Sequence, residues 1–174
     1  MRLFIAIKIP KTALPGIARA STLLEGSGAR ILPAENLHIT LKFIGEVSEG
    51  KVAGIETALS AICFSPFNVT LSGAGAFPTE KFPRAIWLGG KSEGAEELAA
   101  KVESAISFHG LKDEKFALHL TVARSNGDAK IGEFVRNTKN VGSFEVRSFF
   151  LMKSFLSKSG AAYAVVKEFT AKES

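Results

Sequence analysis

The chain contains the run NLHITLKFI at residues 36–44 and a second run of the same kind, FALHLTVAR, at residues 116–124. Each run carries a His-x-Thr motif, which begins at His38 in the first and, 81 positions later, at His119 in the second. Only three histidines occur in the chain, so two of the three stand in this context. We therefore interpret the remaining sequence as a scaffold that brings these two runs together.

The spacing within each motif predicts a shared face on a β-strand. In a strand, side chains at positions i and i+2 point the same way, so His38 lies beside Thr40 and His119 beside Thr121. The alternate positions are apolar and are expected to face a core: Leu37, Ile39, Leu41 and Phe43 in the first run, and Phe116, Leu118, Leu120 and Val122 in the second. A single His-x-Thr means little, because threonine is ordinary in strands. Two matched motifs predict two imidazoles and two hydroxyls around one small space.

The composition indicates an ordinary globular protein. With 174 residues, 46% hydrophobic and 22% charged, the chain is long enough for a real core. No apolar run reaches the length of a membrane span, and the first residues lack a signal-peptide layout, so we expect a cytoplasmic protein with no membrane partner. The net charge of +5 is a mild bias toward polyanions. The one cysteine, Cys63, excludes an internal disulfide and is predicted to be buried.

Hydrophobic periodicity divides the chain into alternating strands and helices. The predicted strands cover 2–9, 36–44, 67–72, 85–88, 116–123, 144–156 and 162–169. The predicted helices cover about 12–25, the segment capped by Ser48, the segment capped by Ser92, and 127–138. The glycine-rich segment 73–78 lacks the Lys-Ser/Thr of a phosphate-binding P-loop, so we interpret it as a loop or bulge that connects two strands.

The order of elements repeats: strand, helix, His-x-Thr strand, helix, strand, twice. Ile5 and Ile86 are separated by 81 positions, the same offset as the two motifs. The pattern predicts one domain, 1–174, built from pseudo-repeats at about 1–78 and 82–170 and related by a pseudo-twofold axis. Strands alternating with helices are also typical of a parallel sheet, but outward-facing polar rows favour antiparallel sheets with one solvated face.

The sequence resembles the 2H phosphoesterases, which are named for two His-x-Ser/Thr motifs. Within that superfamily it is most similar to the RNA 2′,3′-cyclic phosphodiesterases, once called 2′-5′ RNA ligases. The resemblance covers nearly the whole chain and rests on these segments: RLFIAI at 2–7, NLHITLKFIG at 36–45, PRAIW at 83–87, HLTVAR at 119–124, SFL at 154–156 and GAAY at 160–163. It implies an α+β, bilobal fold, with two mainly antiparallel sheets flanking a central cleft and helices outside.

The resemblance also implies an activity: hydrolysis of RNA 2′,3′-cyclic phosphate ends to 2′-phosphomonoesters. The residue types suit that reaction, because imidazoles titrate near neutral pH and can serve as acid and base. The hydroxyls of Thr40 and Thr121 can donate hydrogen bonds to phosphate oxygens. No metal or cofactor is implied, since two histidines without a carboxylate or thiol cluster make a poor metal site. The residues alone do not decide the base; the resemblance implies His119 as base and His38 as acid.

The resemblance further implies that Arg124 contacts the phosphate, through paired N–H donors. Strict alternation instead places Arg124 on the core face of its strand, so the strand must bend, bulge or end there. The alternative is a core-edge or surface position for this arginine. The third histidine, His109, has no threonine partner, and we assign it no role.

An RNA-binding rim is predicted beside the cleft. Lys42 is four positions after His38, so it is predicted on the same face of the strand. The segment Lys81, Phe82 and Arg84 combines positive charge with an aromatic ring. An exposed strand lysine and a solvated loop are the alternative interpretations. Further candidate stacking groups are Phe4, Phe77, Trp87, Phe150 and Tyr163.

Four functions fit these observations. The first is a hydrolase of RNA with 2′,3′-cyclic phosphate ends, acting as a monomer. The second is a 2′-5′ RNA ligase acting on tRNA halves, which would use the same cleft in reverse. The third is a phosphodiesterase of 2′-5′ oligonucleotides or small cyclic nucleotides. The fourth, a non-catalytic RNA-binding module, is disfavoured by the two intact His-Thr pairs.

Overall fold

The structure is a computed structural model, and it describes residues 1–107, 115–158 and 160–172. Within these ranges the chain forms nine β-strands and four α-helices. The strands are β1 (Arg2–Lys8), β2 (Arg30–Ile31), β3 (His38–Glu46), β4 (Phe67–Thr79), β5 (Phe82–Lys91), β6 (His119–Arg124), β7 (Asn140–Val146), β8 (Ser148–Ser157) and β9 (Gly160–Thr170). The helices are α1 (Leu14–Ser21), α2 (Glu49–Ser60), α3 (Glu93–Ile106) and α4 (Gly132–Asn137).

Two antiparallel sheets divide the chain. The terminal sheet has the strand order β3-β1-β8-β9 and is built from the two ends of the chain. The middle sheet has the order β2-β6-β5-β4-β7. The strands β3 and β6, which carry the two motifs, contact one another where the sheets meet. The predicted α+β fold with two antiparallel sheets is confirmed.

The strand β1 explains the uninterrupted apolar start of the sequence. It lies between β3 and β8, so both of its edges are paired, and Leu3–Ile7 are buried on both faces. Leu3, Ile5 and Ile7 face the main core, while Phe4 and Ala6 belong to a small separate cluster with Met152. A run buried on both faces has no polar alternation, because no face meets water.

The helices begin at sequence signals. The hydroxyl of Ser92 accepts a hydrogen bond from the backbone N–H of Ala95 and so caps α3, which buries Leu98 and Val102 toward the sheets. This helix packs against α2, β3 and β4. It therefore stands behind the first motif strand and holds it in place from the side away from the cleft.

The two motif strands pair with their neighbours in the same way. The first pairing, β1 with β3, and the second, β5 with β6, have equivalent partners 81 positions apart: Ile7 with Ile39 and Leu88 with Leu120, then Ala6 with Thr40 and Trp87 with Thr121. These equal registers support an internal repeat. The boundaries 1–78 and 82–170 stay a prediction.

The glycine-rich segment 73–78 is part of strand β4. The pairing register shifts between Leu71 and Ala74, where Gly73 has a φ of +75°. A Cβ at Gly75 would lie 2.5 Å from the indole ring of Trp87 on the paired strand, so that position has no room for a side chain. The glycines therefore serve a bulge and a close packing contact. The bulge is as predicted, but it lies within β4 and does not connect two strands.

Other sequence predictions were wrong in detail. The predicted strand 144–156 is two strands, because the chain leaves the middle sheet after Val146 and enters the terminal sheet at Ser148. Periodicity does not reveal such a change of sheet. The second motif strand begins at His119 instead of Phe116, and α4 has six residues instead of the predicted 127–138. Cys63 is exposed, because α2 ends at Ser60 and leaves the thiol in the following loop.

Candidate functional site

The two His-x-Thr motifs line one cleft between the sheets. The cleft has a volume of about 690 Å³, and its lining includes His38 and Thr40 from β3 and His119 and Thr121 from β6. All four side chains are half-buried. The parity of the two strands therefore placed these groups on the cleft face, as the sequence predicts.

Each imidazole is oriented by a backbone carbonyl two residues earlier. The Nδ1 of His38 lies 2.8 Å from the carbonyl oxygen of Asn36, and the Nδ1 of His119 lies 2.8 Å from that of Ala117. A carbonyl oxygen only accepts, so Nδ1 must carry the proton in both rings. In the neutral tautomer this leaves an unprotonated Nε2 on each ring. The two carbonyls are again 81 positions apart, so the repeat extends to the orientation of the imidazoles.

The surroundings of His38 are aromatic. The rings of Phe4 and Tyr163 each lie 5.0 Å from the imidazole, centroid to centroid. Burial lowers the pKa of His38 below its ordinary value of 6.5; the Asn36 carbonyl raises it, and the charges of Arg124 and His119 lower it further. The neutral form of His38 is therefore favoured in the free protein.

The position of Arg124 is explained by a β-bulge. Thr121 pairs with Trp87 but Ala123 pairs with Ile86, so one extra residue lies between them on β6 and the alternation changes. Arg124 is exposed and lines the cleft, on the same face as the histidine. Strict alternation would place Arg124 on the core face, but the bulge before it reverses that direction and turns its side chain to the cleft.

The same bulge in β3 overturns the prediction for Lys42. Thr40 pairs with Ala6 and Lys42 with Ile5, so Leu41 is the extra residue and Lys42 turns toward the interior. The lysine is 4% exposed, and its Nζ lies 2.7 Å from Oε2 of Glu103 on α3. Lys42 is thus part of a buried ion pair and does not belong to an RNA-binding rim.

Phe43 is a cleft residue that sequence reasoning missed. Alternation assigned it to the core row with Leu41, yet it is 57% exposed and lines the cleft. It occupies in β3 the position that Arg124 occupies in β6, since both come after the bulge and pair with Phe4 and Ala85 respectively. The 81-residue repeat was the available signal: if Arg124 faces the cleft, its counterpart does too.

The remaining rim residues lie outside the cleft lining. Lys81, Phe82 and Arg84 are exposed at the end of the β4–β5 hairpin, where the guanidinium of Arg84 lies 5.2 Å from the centre of the Phe82 ring. Their neighbour Ala85 lines the cleft, but these three do not. The structure does not bring them together with the histidine pair, and their role in RNA binding stays a prediction.

The third histidine, His109, lies outside the described residues. In the described part of the chain, no group of three or more His, Cys, Asp or Glu side chains is arranged to hold a metal ion. The described helices include none that is both long and apolar enough to span a membrane.

Comparison with known proteins shows consistent similarities. The family model described as LigT like Phosphoesterase matches residues 7–87, which include the first motif. A protein of Archaeoglobus fulgidus named RNA 2′,3′-cyclic phosphodiesterase is 38% identical over 97% of this chain and 99% of its own length. A second protein of that name, from Methanocaldococcus jannaschii, is 34% identical over 97% of this chain and 99% of its own.

Solved structures agree with this similarity. The crystal structure of TT0787 of Thermus thermophilus superimposes with a TM-score of 0.85 and 27% identity, covering 98% of this chain and 97% of that one.

Proposed function

Because the chain belongs to the LigT-like phosphoesterases of the 2H superfamily, we propose that it hydrolyses RNA 2′,3′-cyclic phosphate ends to 2′-phosphomonoesters. The observation that carries the proposal is the symmetry of the histidine pair. His38 and His119 line the same cleft from different sheets, and each has its Nδ1 proton directed to a backbone carbonyl. The name of the Archaeoglobus fulgidus relative supports the choice of substrate.

The reaction requires one proton to be removed and another delivered. A water oxygen attacks phosphorus while one imidazole takes its proton, and the bond from phosphorus to the ribose O3′ breaks. The second imidazole protonates O3′, which leaves the phosphate on O2′. Attack and departure occur on opposite sides of phosphorus, so histidines on two walls of a cleft suit both steps. Each acid or base role is commonly worth about 10²–10⁴ in rate.

We assign phosphate binding to the two threonines and Arg124. The hydroxyls of Thr40 and Thr121 lie beside the histidines on their strands and can donate to the non-bridging oxygens, where charge is concentrated in the transition state. The guanidinium of Arg124 is positively charged at all relevant pH values and offers paired N–H donors. All three groups line the cleft that holds the histidines.

The family resemblance and the pKa of His38 assign the base and the acid in opposite ways. The resemblance gives the base role to His119 and the acid role to His38. The lowered pKa of His38 favours its neutral form, which suits a base, in the free protein. We propose that a bound phosphate anion raises the pKa of His38, which would favour its protonated form and let it act as the acid.

We further propose that the protein acts as a cytoplasmic monomer, since RNA is its substrate and one chain supplies both histidines to the cleft. The exposed residues Lys81, Phe82 and Arg84 are proposed as a rim for the RNA strand beyond the terminal nucleotide. Sedimentation, measured with and without a cyclic-phosphate RNA, tests whether the protein is a monomer. RNA affinity tests the rim. Lys81→Ala and Arg84→Ala should each weaken RNA binding, and the size of that loss should depend on the salt concentration.

The deciding experiment uses a 5′-labelled oligonucleotide with a 2′,3′-cyclic phosphate end, incubated with the protein in EDTA and without ATP. We expect a 2′-phosphomonoester as product and no joined strands. The double variant His38→Ala with His119→Ala controls for contaminating nucleases. A 3′-phosphate product, no turnover, or turnover that EDTA removes and a divalent ion restores would contradict the proposal. A 2′-5′ linked product from two RNA halves would favour the ligase.

A further inference from the structure

Two arginines line the cleft, one on each wall. Arg124 comes from β6 of the middle sheet, and Arg2 comes from the first position of β1 in the terminal sheet. The proposed function uses Arg124 for the cyclic phosphate and leaves Arg2 without a role. Because a guanidinium is charged at all relevant pH values, a second arginine in the same cleft suits a second anionic group of the substrate.

The alternation of β1 directs the side chain of Arg2 to the cleft. The pairing of β1 with β8 has no register shift, so Arg2 shares a face with Phe4, whereas Leu3 between them faces the main core. The ring of Phe4 lies 5.0 Å from the imidazole of His38. Successive residues on one face of a strand are about 6–7 Å apart, so Arg2 lies one step beyond the ring that contacts His38.

The guanidinium of Arg2 is available for a ligand. Arg2 is exposed, and its guanidinium makes no hydrogen bond or ion pair within the described part of the chain. Its partner across the β1–β3 pairing is Glu46, but that carboxylate lies 3.5 Å from the backbone nitrogen of Met1. On the other side Arg2 pairs with Ser154 of β8, which also lines the cleft. A charged donor and a hydroxyl donor therefore lie side by side on this wall.

We infer that Arg2 and Ser154 form a subsite for the phosphodiester on O5′ of the terminal ribose, which is the first internal phosphate of the RNA. The inference rests on the proposed function, which places the cyclic phosphate between the histidines. When O2′ and O3′ of a ribose carry the cyclic phosphate, the next anion of the chain is on O5′ of the same ribose. Contacts to phosphate position a nucleic acid without reading its sequence. The subsite therefore favours a polynucleotide end over a mononucleotide and does not select a base.

Binding of two dinucleotides tests the subsite. Both are adenylyl-adenosine with a terminal 2′-phosphate, and one has an uncharged methylphosphonate in place of its internal phosphodiester. By calorimetry we expect the wild-type protein to bind the charged dinucleotide about 10-fold more tightly, the low end of what a hydrogen bond to a charged group contributes. Arg2→Ala should bind the two with equal affinity, because the cation that distinguishes them is gone. Arg2→Lys and Ser154→Ala should each keep part of the preference, because each leaves a cationic donor in place.

Adenosine 2′-monophosphate, which has no internal phosphate, should bind the wild-type protein and Arg2→Ala with the same affinity. The matched control is Arg19→Ala, which removes an exposed arginine of α1 outside the cleft lining and should change none of the three affinities.

Three results, in proteins with unchanged thermal melts, would overturn the subsite: equal losses for all three ligands in Arg2→Ala, an undiminished preference for the charged dinucleotide in that variant, or no preference in the wild-type protein. The proposed function is measured separately, by hydrolysis of a cyclic-phosphate RNA by the wild-type protein. A charge-dependent preference that Arg2→Ala removes, without that hydrolysis, would support the subsite and reject the proposed reaction.

Discussion

The strands β3 and β6 are two versions of one backbone with different side chains. Both carry His-x-Thr on the cleft face, both bulge one residue later, and both hold their imidazole with the carbonyl two residues before it. They differ after the bulge, where β3 has Lys42 and Phe43 and β6 has Ala123 and Arg124. The shared part supplies two imidazoles and two hydroxyls to the cleft, and the differing part gives its two walls different chemistry.

The difference also reaches the histidines. The side chain of His38 contacts Phe4 and Tyr163, and its pKa is lowered mainly by burial. His119 instead lies near Phe77 and Trp87, with centroid distances of 5.2 and 6.4 Å. Two imidazoles on equivalent backbones thus have different neighbours, which is the physical requirement for giving them different roles.

The largest expected effect comes from removing either histidine. His38→Ala and His119→Ala should each reduce single-turnover hydrolysis of a cyclic-phosphate RNA by about 10²–10⁴, because each removes one proton transfer. The double variant should lose little more than either single one, since the two groups act in one step. Thermal melts should change little, because both rings are only half-buried. A near-normal rate in a folded single variant would exclude the acid/base pair.

Removing a threonine hydroxyl should have the next largest effect. Thr40→Ala and Thr121→Ala should each lower the single-turnover rate by up to about 10²–10³, the loss typical of one donor to transition-state charge. The matched controls Thr40→Ser and Thr121→Ser keep the hydroxyl and should retain most of the rate. If the serine variants lose as much rate as the alanine variants, the threonines act through packing of their methyl groups and not through hydrogen bonds from their hydroxyls.

Arg124→Ala should lower kcat/KM by roughly 10- to 100-fold, as expected for losing a hydrogen-bonding charged group. Arg30 is a suitable control, since it pairs directly with Arg124 on β2, is exposed, and does not line the cleft. Arg30→Ala should leave kcat/KM near the wild-type value. A drop in thermal stability in Arg124→Ala with unchanged kinetics would mean that this arginine has only a structural role.

The buried ion pair on the other strand should affect stability. Glu103→Ala leaves Lys42 buried without this carboxylate and should lower the free energy of unfolding, by less than the roughly 3–5 kcal/mol of a fully buried pair because Glu103 is partly exposed. Lys42→Met replaces the buried charge with an apolar chain and should be milder. Urea unfolding of both variants measures the difference. A larger loss in Lys42→Met would show that the lysine itself holds the bulge.

The smallest expected effect is the pH dependence caused by His38. Because its pKa is lower in the folded than in the unfolded state, the unfolded state binds more protons between the two values. The free energy of unfolding should therefore fall as the pH drops below about 6.5, the ordinary pKa of histidine, and the fall should be smaller in His38→Gln. Nuclear magnetic resonance titration should show His38 with a lowered pKa that rises when phosphate is added. A titration at the ordinary value would contradict the lowering by burial.

Much of the site is encoded locally in the sequence. The two motifs, their 81-residue offset and the apolar rows between them predict the site and the two antiparallel sheets, because alternation and periodicity are local properties of the chain. Helix α3 is also predicted by local sequence, since Ser92 caps it and Leu98 and Val102 are apolar residues at helical spacing. The histidines and threonines stand before the bulges, where alternation still holds, so their direction was predicted correctly.

Only the tertiary structure decided the direction of the residues beyond each bulge. One extra residue in a strand reverses the facing of every later residue, and the pairing with β1 and β5 places that residue. For this reason Lys42 lies buried against Glu103 instead of at the rim, and Phe43 lies in the cleft instead of in the core. Burial around His38 likewise depends on Tyr163, which is distant in sequence. The sequence determined which imidazoles and hydroxyls share the cleft face, and the packing of strands determined which side chains surround them.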